Sequence, residues 1–133
     1  MNHKVIVGII LSFFFSFAQA SVIDNMLQQY TAEGGKNFSA ARGEQMWKTD
    51  YPDRDKPGAV RNCSTCHGDD LKIPGKHAKT GKTIDPFSVK VNSERFTDPK
   101  FIEKWFKRNC KWVLNRVCTS QEKGDFLMYL RNQ

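Results

Sequence analysis

Apolar side chains recur along this chain in two rhythms separated by a stretch that has neither. Val22, Ile23, Met26, Leu27 and Tyr30 fall at helical spacing and predict a short amphipathic helix over 22–32, which Gly34-Gly35 ends. Ser39 is placed to cap a second helix running to about Lys48, with Ala40, Ala41, Met46 and Trp47. Residues 50–60 carry Pro52, Pro57 and Gly58 and read as a loop. From Lys72 to Thr97 no helical period appears, and Pro74, Gly75, Gly81 and Pro86 interrupt the segment. A loop of that length inside a compact domain usually has a function or wraps something. Within it Phe87, Val89 and Val91 alternate, predicting a short extended piece with three apolar side chains on one surface. Asp98-Pro99 is a cap followed by a first-turn proline. The helix it opens places Phe101, Ile102, Trp105, Phe106 and Val113 on one face. Thr119 and Glu122 have capping-box spacing before a last helix with Phe126, Leu127 and Leu130. The expectation is an all-α domain with one long wrapping loop.

The first twenty residues follow a different logic. Lys4 precedes an apolar run from Val5 to Phe17, and Ala18-Gln19-Ala20 forms a small-x-small site before Ser21. This is the pattern of a cleaved secretory signal. The run would span ~20 Å as a helix, short of the ~30 Å hydrocarbon core, so a retained anchor fits less well. The expected division is a signal over 1–20, an N-terminal helical extension over 21–37 and one domain over 38–133. Export to the periplasm, with no membrane anchor after cleavage, puts the cysteines in an oxidising compartment.

Composition sharpens this picture. The chain has 133 residues, 39% apolar, with four cysteines and a net charge of +7. That is room for one domain with a lean core, so disulfides, a metal or a large apolar cofactor must help to hold it. An aromatic content of 12% argues against disorder.

Cys63-Ser64-Thr65-Cys66-His67 supplies the cofactor reading. C-x-x-C-H is the attachment signature of c-type haem. Two thiols two residues apart reach the two vinyl groups on one haem edge. The next residue then swings its imidazole under the iron as the proximal ligand, its other ring nitrogen expected on a carbonyl near Ile73 or Pro74. A thioredoxin-like pair would need a strand–helix context, and the upstream segment reads as a Pro/Gly loop. A four-cysteine zinc site fails on spacing, because Cys110 and Cys118 lack finger geometry and His67 would be unexplained. One haem c also accounts for the lean core. The order of elements resembles the class I cytochrome c fold.

The other face of the iron is less plain. Electron-carrying class I cytochromes take a methionine from the loop after the motif, and here none lies between His67 and Met128. Met46 and Met128 read as core. His77 is a substitute ligand, though its place between Lys76 and Lys79 also suits the surface. Asn109 lies four residues after Trp105 and three after Phe106, a polar amide on an apolar stripe. Such an amide calls for a buried partner, or is a helix-terminal Asn satisfied by nearby backbone.

Gly75-Lys76-His77, Thr80-Gly81-Lys82, Arg95-Phe96-Thr97-Asp98, Glu103-Lys104-Trp105-Phe106, Arg108-Asn109-Cys110, Cys118-Thr119 and Glu122-Lys123-Gly124-Asp125 together resemble the sphaeroides haem protein family. These are small monohaem class I cytochromes that bind oxygen. The resemblance covers about residues 60–131, and residues 21–37 match nothing in it. It implies that Asn109 is the sixth ligand and that Cys110 and Cys118, which follow it, form a disulfide. That bridge would either constrain the Asn109 segment or be structural only. An amide oxygen is a hard neutral ligand, better suited to ferric than to ferrous iron. Reduction would then release it and open a position for O₂, CO or NO.

Charge gives the partners. Lys104, Lys107, Arg108 and Lys111 recur along one helix face, and Glu103 alone interrupts the positive run from Lys100 to Arg116. The face is either plainly solvated or docks an acidic redox partner in a salt-dependent way. The resemblance implies a dihaem cytochrome c and a membrane cytochrome b as electron donors. Nucleic acid does not suit an exported chain whose aromatics fall on buried faces. The expectation is a monomeric periplasmic cytochrome coupling one-electron transfer to diatomic binding, and an oxidoreductase if it turns over O₂ or a related gas. The alternatives are a plain six-coordinate carrier and a gas sensor without turnover.

Overall fold

The computed structural model of the chain describes residues 21–133; the expected signal over 1–20 lies outside the described residues. Among the described residues, five helices and two short hairpins follow one another. Helix α1 is Val22–Ala32 and α2 is Ala40–Lys48; strands β1 (Tyr51–Pro52) and β2 (Val60–Arg61) follow. Next come α3 (Ser64–His67), β3 (Gly75–Lys76), β4 (Thr83–Ile84), α4 (Pro99–Val113) and α5 (Ser120–Leu130). The anticipated helix bounds hold, and so do their caps. Asp98 Oδ1 accepts from the backbone N–H of Lys100 at 2.9 Å and of Phe101 at 3.3 Å. Thr119 and Glu122 form the full capping box of α5. Each capped end satisfies backbone donors that a helix start leaves unpaired.

The two segments expected to be loops are more ordered than the sequence pattern suggested. Residues 50–61 close as a hairpin in which Tyr51 faces Arg61, and Gly75 faces Ile84 in a second. The extended piece over 87–91 does not form. Val91 and Asn92 N–H both donate to the Ser88 carbonyl, making a tight turn, and Val91 is left exposed. Ser88 is the buried residue instead, its N–H held by the Leu71 carbonyl at 2.9 Å. A small side chain fits there against the 71–74 segment, and alternation of larger residues on either side does not register with it.

Two linked clusters make the core. One joins Trp47, Leu71, Cys110, Val113, Leu114, Cys118, Phe126, Tyr129 and Leu130, with Cys63 packed against it. The other joins Ile23, Met26 and Tyr30 of α1 with Ile102 and Leu127, so the N-terminal extension is part of the packed domain. Phe96 and Phe106 contact both clusters. Phe96 stands at φ +60°, a left-handed geometry costly for a bulky side chain, and its ring bridges the two clusters. On α4 the buried stripe runs Ile102, Cys110 and Val113. Phe101 and Trp105, expected on that face, remain 47% and 38% exposed at its edge.

Helices α2 and α5 cross at Gly43, where a Cβ would come within 2.1 Å of the Asp125 carbonyl oxygen. Beside this crossing, buried Asp125 accepts from Ser39 N–H at 2.7 Å and from Arg42 Nε and Nη2 at 2.8 Å each. One carboxylate thus completes the start of α2 and binds it to α5. Asp125→Ala leaves the Ser39 donor unpaired and is expected to cost about 2 kcal/mol, read as a lower urea midpoint of the holoprotein at unchanged slope.

Candidate functional site

The motif sits on a single helical turn. Cys63 carbonyl accepts from Cys66 and His67 N–H at 3.3 and 3.2 Å, and Gly68 ends the turn at φ +71°. Asn62 fixes its start: Oδ1 accepts from Thr65 N–H at 3.0 Å and from Ser64 Oγ at 2.8 Å, while Nδ2 donates to Asp50. Cys63 N–H donates to the Trp47 carbonyl at 3.2 Å, joining the turn to the end of α2. On its other side β3 lies directly on the turn. A Cβ at Gly75 would stand 2.3 Å from the Cys66 carbonyl oxygen and 2.9 Å from His67 Cα, so only glycine permits this approach.

Cys63 and Cys66 are free thiols, half-buried and buried. Burial, and then the neighbouring Cys66, pushes the Cys63 thiol up to about 12. A redox-active pair would need the opposite shift, which weighs against the thioredoxin-like reading. Burial, and then the charges of Arg95 and His77, lowers His67 to about 4. Its imidazole is therefore neutral at neutral pH and keeps the lone pair that a metal ligand needs. The ring lies edge-on to Phe87 at 4.5 Å and 5.4 Å from Trp47. Arg95 positions Phe87 from behind: its guanidinium covers that ring at 4.7 Å, Nε donates to the Pro86 carbonyl at 2.8 Å and Nη2 to the Asp85 carbonyl. These aromatic contacts orient the His67 ring, and the carbonyls near Ile73 and Pro74 make no hydrogen bond to it among the described residues.

Cys110 and Cys118 are joined in a disulfide, with Cα atoms 5.6 Å apart. This removes the four-cysteine zinc reading. Asn109 is half-buried near the end of α4, next to buried Cys110. Cys110 and Cys63 border the same core cluster, so the Asn109 end of α4 and the motif turn flank one body of packed side chains. His77 is brought near Trp112, ring centres 6.5 Å apart, but its Nδ1 accepts from Lys79 and Thr80 N–H at 3.2 Å each. Met46 and Met128 are partly buried, as expected of side chains that fill gaps in a core. Lys104, Lys107, Arg108 and Lys111 are all exposed on α4.

The chain matches, over residues 33–130, a family described as a domain of unknown function, DUF1924. It is 37% identical over 108 residues to the cytochrome c-type protein SHP of Cereibacter sphaeroides, covering 81% of each chain. The chain belongs to the sphaeroides haem protein family. Its fold is similar to that of oxidised SHP, described as an oxygen-binding cytochrome c, with a TM-score of 0.74 and 34% identity over 86% of this chain and all of that one. Cytochrome c'' of Methylophilus methylotrophus is 38% identical over 73 residues, 55% of this chain and 51% of that protein. Its oxidised crystal structure matches with a TM-score of 0.74 at 26% identity, over 84% and 94% of the two chains. The cofactor of the family, and of this chain, is one haem c. The residues present fit it: two free thiols on one turn, a neutral half-buried imidazole beside them, and the unpartnered buried N–H of Trp47, whose ring lies 5.4 Å from that imidazole.

Sequence reasoning gave Arg61 and Trp112 no part, and quoted Arg95 in a motif without a role. Arg61 is a charged residue two positions before the motif yet only 4% exposed, and its guanidinium lies 4.4 Å over the Trp112 ring. A charge so close to an attachment motif was the available signal. Its burial, however, comes from a long-range contact with α4. Gly75→Ala is expected to push β3 off the motif turn and to cost about 2 kcal/mol, seen as a lower Tm and a smaller fraction of chain carrying covalent haem.

Proposed function

We propose that this protein is an exported one-electron haem protein whose distal ligand leaves on reduction, so that O₂, NO or CO can occupy its place. Haem c would supply a one-electron iron couple. Cys63 and Cys66 would hold the group by thioethers, His67 would give the proximal imidazole and Asn109 the distal carboxamide oxygen. The segment 72–97, with its hairpin and the Ser88 turn, wraps the group. The observation that carries the reading is that the turn bearing a neutral, half-buried His67 and the end of α4 bearing a half-buried Asn109 border one core cluster, through Cys63 and Cys110. No methionine stands between His67 and Met128 to compete for the iron.

The chemistry of the amide supports release. A neutral oxygen donor favours the ferric state, so adding an electron weakens its hold. The side chain can then turn away while α4 stays fixed by its buried stripe and by the Cys110–Cys118 bridge. Two relatives point the same way: SHP is described as oxygen-binding, and a solution structure of cytochrome c'' is described in terms of haem-ligand detachment. His77 competes poorly for the distal place. Its Nδ1 is engaged by two backbone donors, and its backbone is closed in the β3–β4 turn by bonds to Lys82 and Gly81.

Delivery of the electron would use the basic face of α4. Lys104, Lys107, Arg108 and Lys111 would steer an acidic donor of the dihaem cytochrome c or membrane cytochrome b type. Cleavage after Ala20 would leave α1 as the N-terminus of a periplasmic protein, and no helix among the described residues is long and apolar enough to cross a membrane.

Asn109→Ala is expected to convert the ferric protein from a six-coordinate to a high-spin or water-ligated optical spectrum, while His77→Ala keeps the parent spectrum. An unchanged Asn109→Ala spectrum removes Asn109 from the iron, and a changed His77→Ala spectrum puts His77 there.

A further inference from the structure

Trp47 touches the attachment turn directly. Its carbonyl accepts from Cys63 N–H at 3.2 Å, and its indole lies 5.4 Å from the His67 ring. The side chain is buried, and its Nε1 has no acceptor among the described residues. A buried donor left unpaired costs about 1–3 kcal/mol, and a phenylalanine would fill the core here without that cost. Packing alone does not call for an indole at this place.

Two further rings lie against Trp47: Phe87 at 5.5 Å and Tyr129 of α5 at 6.0 Å. Indole and phenol rings give up one electron to a strong haem-derived oxidant, and a phenyl ring does not. The oxidisable path from His67 therefore runs through Trp47 to Tyr129. Tyr129 in turn leads outward. It lines a cleft of about 730 Å³ together with Glu44 and Lys48 of α2, Asp69 and Asn132. Burial, and then the Glu44 carboxylate, raise the pKa of its phenol, so it stands protonated at neutral pH. Among the described residues neither Tyr30 nor Tyr51 stacks on these rings. Tyr30 is tied instead to Glu103 on the far side of α5.

We propose that Trp47 and Tyr129 form a one-electron relay that carries oxidising equivalents from the haem site to the cleft beside α2, where a small phenolic donor restores Tyr129. The relay rests on the haem site proposed above, and its oxidant is hydrogen peroxide, the two-electron reduction product of O₂. In each turn Trp47 gives one electron to the oxidised haem site and takes one from Tyr129. The Tyr129 O–H bond breaks, its proton leaves into the cleft, and a neutral phenoxyl radical remains. The donor phenol then returns one electron and one proton to Tyr129. Two turns release the two electrons and two protons that convert one H₂O₂ into two waters.

Ferric holoprotein mixed with hydrogen peroxide and freeze-quenched for EPR tests the relay. The expected result is a tyrosyl radical that Tyr129→Phe and Trp47→Phe both lose, while Tyr51→Phe keeps it. Both relay variants leave an aromatic ring in the core. If one still fails to load haem, wild-type protein treated with peroxide and a nitrone spin trap answers the same question, with the adduct expected on Tyr129 by peptide mass spectrometry. A radical or adduct on Tyr30 or Tyr51 and none on Tyr129 overturns the relay. So does a Tyr129 radical that survives Trp47→Phe, and so do haem bands that bleach without a tyrosyl signal or that peroxide leaves unchanged. CO binding to the reduced wild-type protein reports separately on the open distal position. Bleaching without a Tyr129 radical, in a protein that binds CO, sinks the relay alone.

Discussion

Everything in this fold is arranged around one tight backbone contact. The turn that presents two thiols and an imidazole must lie within packed side chains, yet its peptide groups need partners and its far side needs a cover. Gly75 provides the cover by bringing β3 onto the Cys66 carbonyl and His67 Cα, closer than any side chain would allow. Asn62 and the Trp47 carbonyl satisfy the front of the turn, and Phe87, backed by Arg95, fixes the imidazole ring. A 133-residue chain with 39% apolar residues can keep such a turn dry only by sharing its core with something large. One haem c answers that need.

Helix α4 then serves three surfaces at once. Ile102, Cys110 and Val113 bury one stripe, the basic side chains face solvent, and Asn109 stands at the border between buried and open. Its end is tied by a disulfide whose partners are 8 residues apart. So short a loop contributes at most about 2–3 kcal/mol through chain entropy. Its more specific effect is to restrain the residue that follows Asn109. At the other end of the helix, Glu103 is held by the Tyr30 hydroxyl and by Lys123 at 2.8 Å, fastening α4 to α1 and α5. The ligand role proposed for Asn109 is compatible with this restraint, since its side chain could leave the iron by its own rotation without carrying the helix along.

Local signals in the sequence read true wherever a local interaction decides the outcome. Asp98-Pro99, Thr119 with Glu122, and the C-x-x-C-H spacing each act within a few residues, and each stands where the pattern put it. The errors fall where distant residues decide. Alternation over Phe87–Val91 suggested a strand, but the Leu71 carbonyl holds Ser88 and folds the segment into a turn. Phe101 and Trp105 matched a helical face, but only tertiary packing could show that the buried stripe passes beside them. The burial of Arg61 depends on Trp112, a contact that its neighbours in sequence do not fix. The resemblance carried Asn109 and the Cys110–Cys118 pairing further than spacing could. For the pairing, the structure now provides the bond itself.

The central claim is a distal position closed in the ferric state and open in the ferrous one. The most direct test is the optical spectrum of the dithionite-reduced holoprotein before and after addition of CO. The account predicts a five-coordinate, high-spin ferrous spectrum that converts to a CO-bound form. A six-coordinate low-spin ferrous spectrum that CO leaves unmoved would contradict it.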